Sequence, residues 1–220
     1  MIVAVTGTGT DVGKTIATAA VASRLARTGR DVVLLKPVQT GAAQGGGDAE
    51  TVHRLTGVEA VTGWSYPEPL APNLAARRAG QPTPCLAQLR DWIQGYERPD
   101  RVVLVEGAGG LAVRIGDDYT FAEVAHFLGA PALVVTSLGL GSLNLATLTV
   151  EAARRSGVVV AGLIGGALEA ESDLATTLNL EELPVVTGVP LIGVLPAGAG
   201  VLDPEDFAVV AQKAVPELPF

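Results

Sequence analysis

Three short runs hold the residues able to do chemistry in this chain. The first is Gly7-Thr8-Gly9-Thr10-Asp11-Val12-Gly13-Lys14-Thr15, which closes an apolar run beginning at Val3. Glycines let a backbone turn so that its N–H groups point inward as an anion nest beside the positive end of a helix. Lys14 would reach the outer phosphates of a nucleotide, and the Thr15 hydroxyl would hold a divalent ion. The common spacing wants a glycine at position 8, which is threonine; Gly7 makes the loop one residue longer. A plain Gly/Thr turn is the alternative, but a strand before the loop and a helix after it favour a phosphate loop.

The second run, Lys36-Pro37-Val38-Gln39-Thr40-Gly41, follows the apolar stretch Val32 to Leu35, and the third, Glu106-Gly107-Ala108-Gly109-Gly110, follows Val102 to Val105. Glu106 and Asp48 are carboxylates available to complete a Mg²⁺ shell, since that ion takes a few hard oxygens plus substrate phosphates. Lys36 is a surplus cation. The fifteen basic residues include only three lysines, Lys14, Lys36 and Lys213, and two of these follow buried strands, where an amine does what a guanidinium cannot. A nucleotide switch needs no second lysine beside its phosphates, whereas phosphoryl transfer gains from one. Gly107 to Gly110 form another nest for an anion. These residues predict an ATP-type, Mg²⁺-dependent transferase or ligase.

Composition removes other classes. A net charge of −8 and the lack of a basic run argue against nucleic acid. One cysteine, Cys85, rules out an internal disulfide and a cysteine zinc site, and His53 and His126 are too far apart in sequence to suggest a histidine metal site. The mean hydropathy of +0.39 invites a membrane reading. Glycines 129, 139 and 141, with Pro131 and Asn144, interrupt the uncharged stretch Phe127 to Val150 too often for a span of about 20 apolar residues. Parallel strands buried on both faces explain such runs better. With Met1 leading directly into a strand, a cytoplasmic protein is expected.

The elements that must position these residues follow in order. Strands are expected at 2–5, 31–35, 101–105, 132–136, 158–164, 184–187 and 191–195. Helices are expected at 14–28, 48–55, 73–79, 86–96, 120–128, from Asn144 to Arg155, 171–180 and 204–214. Pro37 is expected to stop the second strand, Asp48 to N-cap its helix, Gly45 to Gly47 to bridge them, and most of 57–84 to be irregular. Strands alternating with helices predict an α/β fold, a mainly parallel sheet with helices on both faces, as one phosphate-loop NTPase-like domain over 1–220. Ligands bind such sheets at the strands' carboxyl ends, where every special run falls.

The three runs together, in this order, resemble the dethiobiotin synthetase family, and Asp48, Gly141 to Asn144 and Leu191 to Pro196 extend the likeness over most of the chain. The resemblance implies an ATP-dependent cyclo-ligase that carboxylates 7,8-diaminononanoate with CO₂ and closes a ureido ring, releasing ADP and phosphate. It implies Mg²⁺ on Thr15, Asp48 and Glu106, and nucleotide contacts from Asp11, Val12, Gly13, Lys14, Thr15 and Ile16. Further nucleotide contacts are implied for Asp48, for Glu106, Gly107, Ala108 and Gly109, for Gly165 and Gly166, and for Pro196, Ala197 and Gly198. Lys36, with Lys14, would be catalytic, stabilising the carbamate and then its mixed anhydride with phosphate. Thr40, Gly109 and Gly110 would contact the substrate, and Asn144 would close its carboxylate site across a homodimer interface.

Departures from the family pattern cluster around the base. Gly9 stands where many members have aspartate, Gly165 and Gly166 replace an asparagine that reads adenine, Ala197 replaces a flanking aromatic, and Leu145 replaces a histidine. Looser base selection is therefore expected. The rival from another class is a partitioning or septum-site type ATPase, a regulatory switch. That group carries a second lysine early in the loop, at a position held here by Thr8. A relative of the cobyrinate amide ligases would carry a glutaminase domain, for which this chain shows no segment.

Overall fold

The computed structural model describes residues 1–41 and 46–220. Seven strands form one sheet in the order β3-β2-β4-β1-β5-β6-β7, and every neighbouring pair is parallel. They are β1 (Ile2–Gly7), β2 (Asp31–Thr40), β3 (Glu59–Tyr66), β4 (Arg101–Gly110), β5 (Ala132–Thr136), β6 (Val160–Leu168) and β7 (Leu191–Pro196). The helices are α1 (Lys14–Arg27), α2 (Asp48–Thr56), α3 (Pro72–Arg78), α4 (Leu86–Gln94), α5 (Phe121–Phe127), α6 (Ser142–Arg155), α7 (Leu174–Thr187) and α8 (Pro204–Ala214).

The central strands show why their sequences carry no alternation. Val3 and Val5 of β1, Val32 and Leu34 of β2, and Val102 and Leu104 of β4 pack in one core with α1, α2 and α8. Ile2, Ala4, Val33, Leu35, Val103 and Val105 pack in the other, against α3, α4 and α5. Successive side chains point to opposite faces, and helices cover both. A smaller cluster joins Val134 and Leu163 to α6 and α7 through Ala146, Val150 and Leu183.

Four expectations are corrected. The stretch 57–84 is not wholly irregular, because Glu59–Tyr66 pairs with β2 from Val33↔Glu59 to Thr40↔Tyr66. As an edge strand it is only partly buried, and its mixed polar sequence hides it. Pro37 does not end β2, which runs on to Thr40. Pairing with β4 stops at Leu35↔Val105, so a residue without an N–H costs no ladder bond there. Residues 184–187 are the last turn of α7, not a strand, with Pro184 inside the helix. Its Val-Val-Thr ending looks β-like, but buried Leu183 and Thr187 tie that turn to the core, and Gly188 stops it at φ 62. Finally, Asp48 opens α2 without capping it; the N-cap is Gly47. Of the expected glycine bridge, Gly45 lies outside the described residues.

Candidate active site

The carboxyl ends of β1, β2 and β4 bring the three runs together. Beyond β1 the chain turns through Asp11, at φ 58, and Gly13, at φ 91, before α1 begins. A side chain at Gly7 would lie 2.7 Å from Val12 Cγ2 and 2.9 Å from the Gly9 carbonyl, so the loop closes only around a glycine. Lys14 lies buried across this loop and donates to the Gly9 carbonyl at 2.8 Å. Burial, reinforced by the nearby Lys36 ammonium, lowers its pKa from the usual lysine value.

Lys36, within β2, is 3 % exposed, and Glu106, within β4, is wholly buried. The Lys36 ammonium donates to Glu106 Oε1 at 3.0 Å and to the Gly107 carbonyl at 2.8 Å, and it pairs with Asp48 Oδ2 at 2.5 Å. The Thr15 hydroxyl lies 2.9 Å from Asp48 Oδ1 and 3.2 Å from Glu106 Oε1. Burial opposes the Lys36 charge, yet Glu106 and Asp48 outweigh it and raise its pKa. Burial likewise opposes the Asp48 charge, and the Lys36 ammonium prevails, lowering its pKa. Lys36 and Asp48 are thus each held in the charged form.

A cavity of about 900 Å³ opens above this cluster, lined by Lys14, Thr15, Lys36, Thr40, Asp48 and Gly109 among others. Its volume suits a nucleotide-sized ligand. Thr15, Asp48 and Glu106 fit a Mg²⁺ ion: they offer a hydroxyl and two carboxylates, and Glu106 Oε2 is buried with no hydrogen-bond partner among the described residues. No group of three His, Cys, Asp or Glu side chains able to hold a metal occurs among the described residues. A site of two carboxylates and a hydroxyl leaves the rest of the shell to phosphate and water.

The remaining nominated residues divide. Gly166 backs directly onto the loop: a Cβ there would sit 1.7 Å from the Val12 carbonyl oxygen, and one at Gly165 would sit 2.9 Å from Leu138 Cδ2. Pro196 ends β7, the Ala197 N–H donates to the Leu168 carbonyl at 2.8 Å, and Gly198 turns the chain at φ 78 into a 3₁₀ turn, Ala199–Val201. In that turn Gly200 approaches Ile16 so closely that a Cβ would meet Ile16 Cδ1 at 2.8 Å. Gly110 packs against Gly7 and Gly9 of the loop. Asn144 is exposed on the first turn of α6 and does not line the cavity. His53 hydrogen-bonds the Val58 carbonyl, His126 packs against Gly157, and Cys85 precedes α4; none lines the cavity.

Two contributors lie outside the nominated set. Gln39 accepts from the Asp48 backbone N–H at 3.0 Å and donates to the Thr40 carbonyl at 3.0 Å, so it does the capping that Gly47 cannot. Pro69 to Ala71, with Pro72 at the start of α3, form another wall of the cavity. Gln39 sits inside a quoted run, but no spacing rule gives an amide on β2 to a helix nine residues on.

An all-parallel sheet with helices on both faces and this loop at its carboxyl edge defines a phosphate-loop NTPase-type α/β protein. A family model described as an AAA domain matches residues 2–205. Among solved structures, the fold resembles the MinC:MinD cell division protein complex of Aquifex aeolicus, with TM-score 0.57, 14% identity, and coverage of 96% of this chain and 86% of that one. It also resembles chloroplast FtsY from Physcomitrella patens, with TM-score 0.51, 20% identity, and coverage of 96% and 64%. At such identities the likeness concerns the fold alone.

Sequence relatives carry more. The ATP-dependent dethiobiotin synthetase BioD of Corynebacterium efficiens is 56% identical over 214 residues, 97% of each chain. The protein of the same name from Corynebacterium diphtheriae is 53% identical over 211 residues, 96% of this chain and 95% of that one. The one from Rhodococcus erythropolis is 47% identical over 219 residues, 98% and 96%. The chain belongs to the ATP-dependent dethiobiotin synthetase family.

Proposed function

We propose that this chain, acting in the cytoplasm as one domain over 1–220, makes dethiobiotin from 7,8-diaminononanoate, CO₂ and a nucleoside triphosphate, releasing the nucleoside diphosphate and phosphate. The observation that carries the reading is the meeting of Lys36, Asp48, Glu106 and Thr15 at the floor of a cavity also lined by Lys14. A simple switch has no use for a buried lysine beside its metal ligands, whereas a transferring phosphoryl group does.

In this reading the loop N–H groups from Asp11 to Ile16 and the Lys14 ammonium hold the triphosphate. Thr15, Asp48 and Glu106 would hold Mg²⁺, whose charge offsets that of the phosphate oxygens during transfer. One substrate amine adds to CO₂ and loses a proton, giving a carbamate whose charge the Lys36 ammonium stabilises. A carbamate oxygen then takes the terminal phosphoryl group as its bond to the nucleoside diphosphate breaks. The second amine attacks the carbamate carbon, the carbon–oxygen bond to phosphate breaks, and the ring closes with loss of a proton. Thr40 and the Gly109-Gly110 nest orient the substrate, and holding both its ends raises the effective concentration of the second amine.

The same reading pairs two copies of the chain, each placing Asn144 at the other's substrate carboxylate. Leu140, Leu145 and Leu148 support it: they leave apolar surface exposed around Asn144. It also places the base near Gly166 and the turn at Pro196 to Gly198, where backbone and not side chains would read it. The test is nucleoside diphosphate release from ATP, GTP, CTP and UTP, with and without diamine and bicarbonate. Release that needs both co-substrates supports the reading; release indifferent to the diamine contradicts it.

A further inference from the structure

Lys36 has three N–H bonds to give, and three acceptors surround it: Glu106 Oε1 at 3.0 Å, Gly107 O at 2.8 Å and Asp48 Oδ2 at 2.5 Å. Its donor capacity is spent on the protein, and none is left for a carbamate oxygen. Two of the three acceptors are the carboxylates that, with Thr15, form the candidate metal shell. Glu106 is wholly buried and Asp48, 31 % exposed, reaches the same ammonium, so two carboxylates converge where one of them has no access to water and needs a cation. A divalent ion bound through the same two carboxylates, by Glu106 Oε2 and Asp48 Oδ1, would stand close to the ammonium on their other oxygens, where the repulsion between the two cations is strong.

We propose that Lys36 is an exchangeable counter-cation: it holds Asp48 and Glu106 together until a divalent ion takes those carboxylates, and only then does its ammonium turn toward the substrate. The inference rests on the reading of Thr15, Asp48 and Glu106 as the metal ligands. Lys36 suits the role because its charge rides on a flexible four-carbon stem and the side chain already lines the cavity into which it would turn. Carbamate stabilisation would thereby be coupled to metal loading, so that the lysine engages substrate only in a site equipped for phosphoryl transfer.

Competition for the same two carboxylates can be measured without turnover. Mn²⁺ binding to nucleotide-free protein, followed by electron paramagnetic resonance, should be at least about tenfold tighter in Lys36→Met than in wild type, about 1.4 kcal/mol. Lys213→Met, far from the site in sequence and absent from the cavity lining, should bind Mn²⁺ as wild type does. Equal affinity in Lys36→Met and wild type overturns the proposal. Glu106→Gln separates the two layers: if it leaves Mn²⁺ binding unchanged, the metal reading itself falls, and the inference with it.

Should Lys36→Met not fold, the wild-type protein gives the answer. With ¹⁵N at Nζ, only three lysine signals exist, at Lys14, Lys36 and Lys213. The Lys36 ammonium should show slow hydrogen exchange in metal-free protein, then shift and lose that protection when MgCl₂ and a non-hydrolysable ATP analogue are added. A Lys36 signal unmoved at saturating Mg²⁺ and nucleotide overturns the proposal.

Discussion

Lys36 and Glu106 meet from neighbouring strands, one residue beyond the last registered β2–β4 pair, and the Glu106 oxygen that takes the Lys36 ammonium at 3.0 Å also lies 3.2 Å from the Thr15 hydroxyl. Phosphate loop, surplus lysine and carboxylate therefore share one atom. If Lys36 serves the reacting group and not the nucleotide, Lys36→Gln should bind metal-free nucleotide as wild type does while ring closure falls about 100- to 1000-fold, the usual cost of losing one fixed transition-state donor. Calorimetric titration with a non-hydrolysable analogue and single-turnover product formation check the two halves. Near wild-type ring closure would remove Lys36 from the chemistry.

Lys14 should behave differently, in affinity and in stability. Burial, then the Lys36 ammonium, lower its pKa, so the folded protein binds that proton less tightly than the unfolded chain does. The sign follows: charged Lys14 costs stability at neutral pH, and the cost shrinks as pH rises through the lowered pKa toward 10.5. Lys14→Gln is expected to lose nucleotide affinity yet melt higher at pH 7, by about 2–4 °C for each kcal/mol relieved. The gap should narrow in alkaline buffer. Scanning calorimetry between pH 7 and 10 measures it, and a variant that melts lower at pH 7 contradicts the argument.

Asp48 has the opposite sign. Its lowered pKa, with Lys36 outweighing burial, means a contribution present above the unfolded value of 3.8 and lost as pH falls through the folded value. The melting difference between wild type and Asp48→Asn should stay level from pH 7 to 5 and close below pH 3.8. Thermal melts across that range test it; a difference that widens in acid would show that Lys36 does not hold this carboxylate charged.

Gly166, which abuts the loop and in the proposed reading lies near the base, predicts how the nucleotide site responds. A Cβ there would lie 1.7 Å from the Val12 carbonyl oxygen, so Gly166→Ala must push the phosphate loop aside. Nucleotide affinity should fall about 10- to 100-fold, the range that overpacking by 1–3 kcal/mol implies. With no side chain at Gly165 or Gly166 to read the base, turnover with ATP should exceed that with CTP or GTP by less than a hundredfold. Kinetics with the three nucleotides decide it, and a larger preference for ATP contradicts the expectation.

Much of this was legible from residue types and their placement at strand ends. The doubly buried strands, the Gly7–Thr15 loop and the convergence of Lys36, Asp48 and Glu106 all follow from patterns in which local sequence and tertiary demand agree. The edge strand Glu59–Tyr66 escaped because partial burial leaves no apolar signature. The end of α7 escaped because Val185, Val186 and Thr187 favour strands by local preference while packing and the Gly188 stop decide for a helix. Gln39 escaped because its bond to Asp48 joins two elements whose approach only the folded sheet creates. The exhaustion of Lys36's donors was likewise invisible, since the sequence names the three partners without saying that one ammonium reaches them all.

The most direct test of the ring-closing reading is isotopic. Purified protein is incubated with MgCl₂, ATP, ¹³C-bicarbonate and 7,8-diaminononanoate, and product is followed by mass spectrometry beside ADP. The predicted result is dethiobiotin carrying one ¹³C at the ureido carbon, formed with one ADP per ring. ADP released at the same rate without the diamine, with no labelled ring product, would contradict the account.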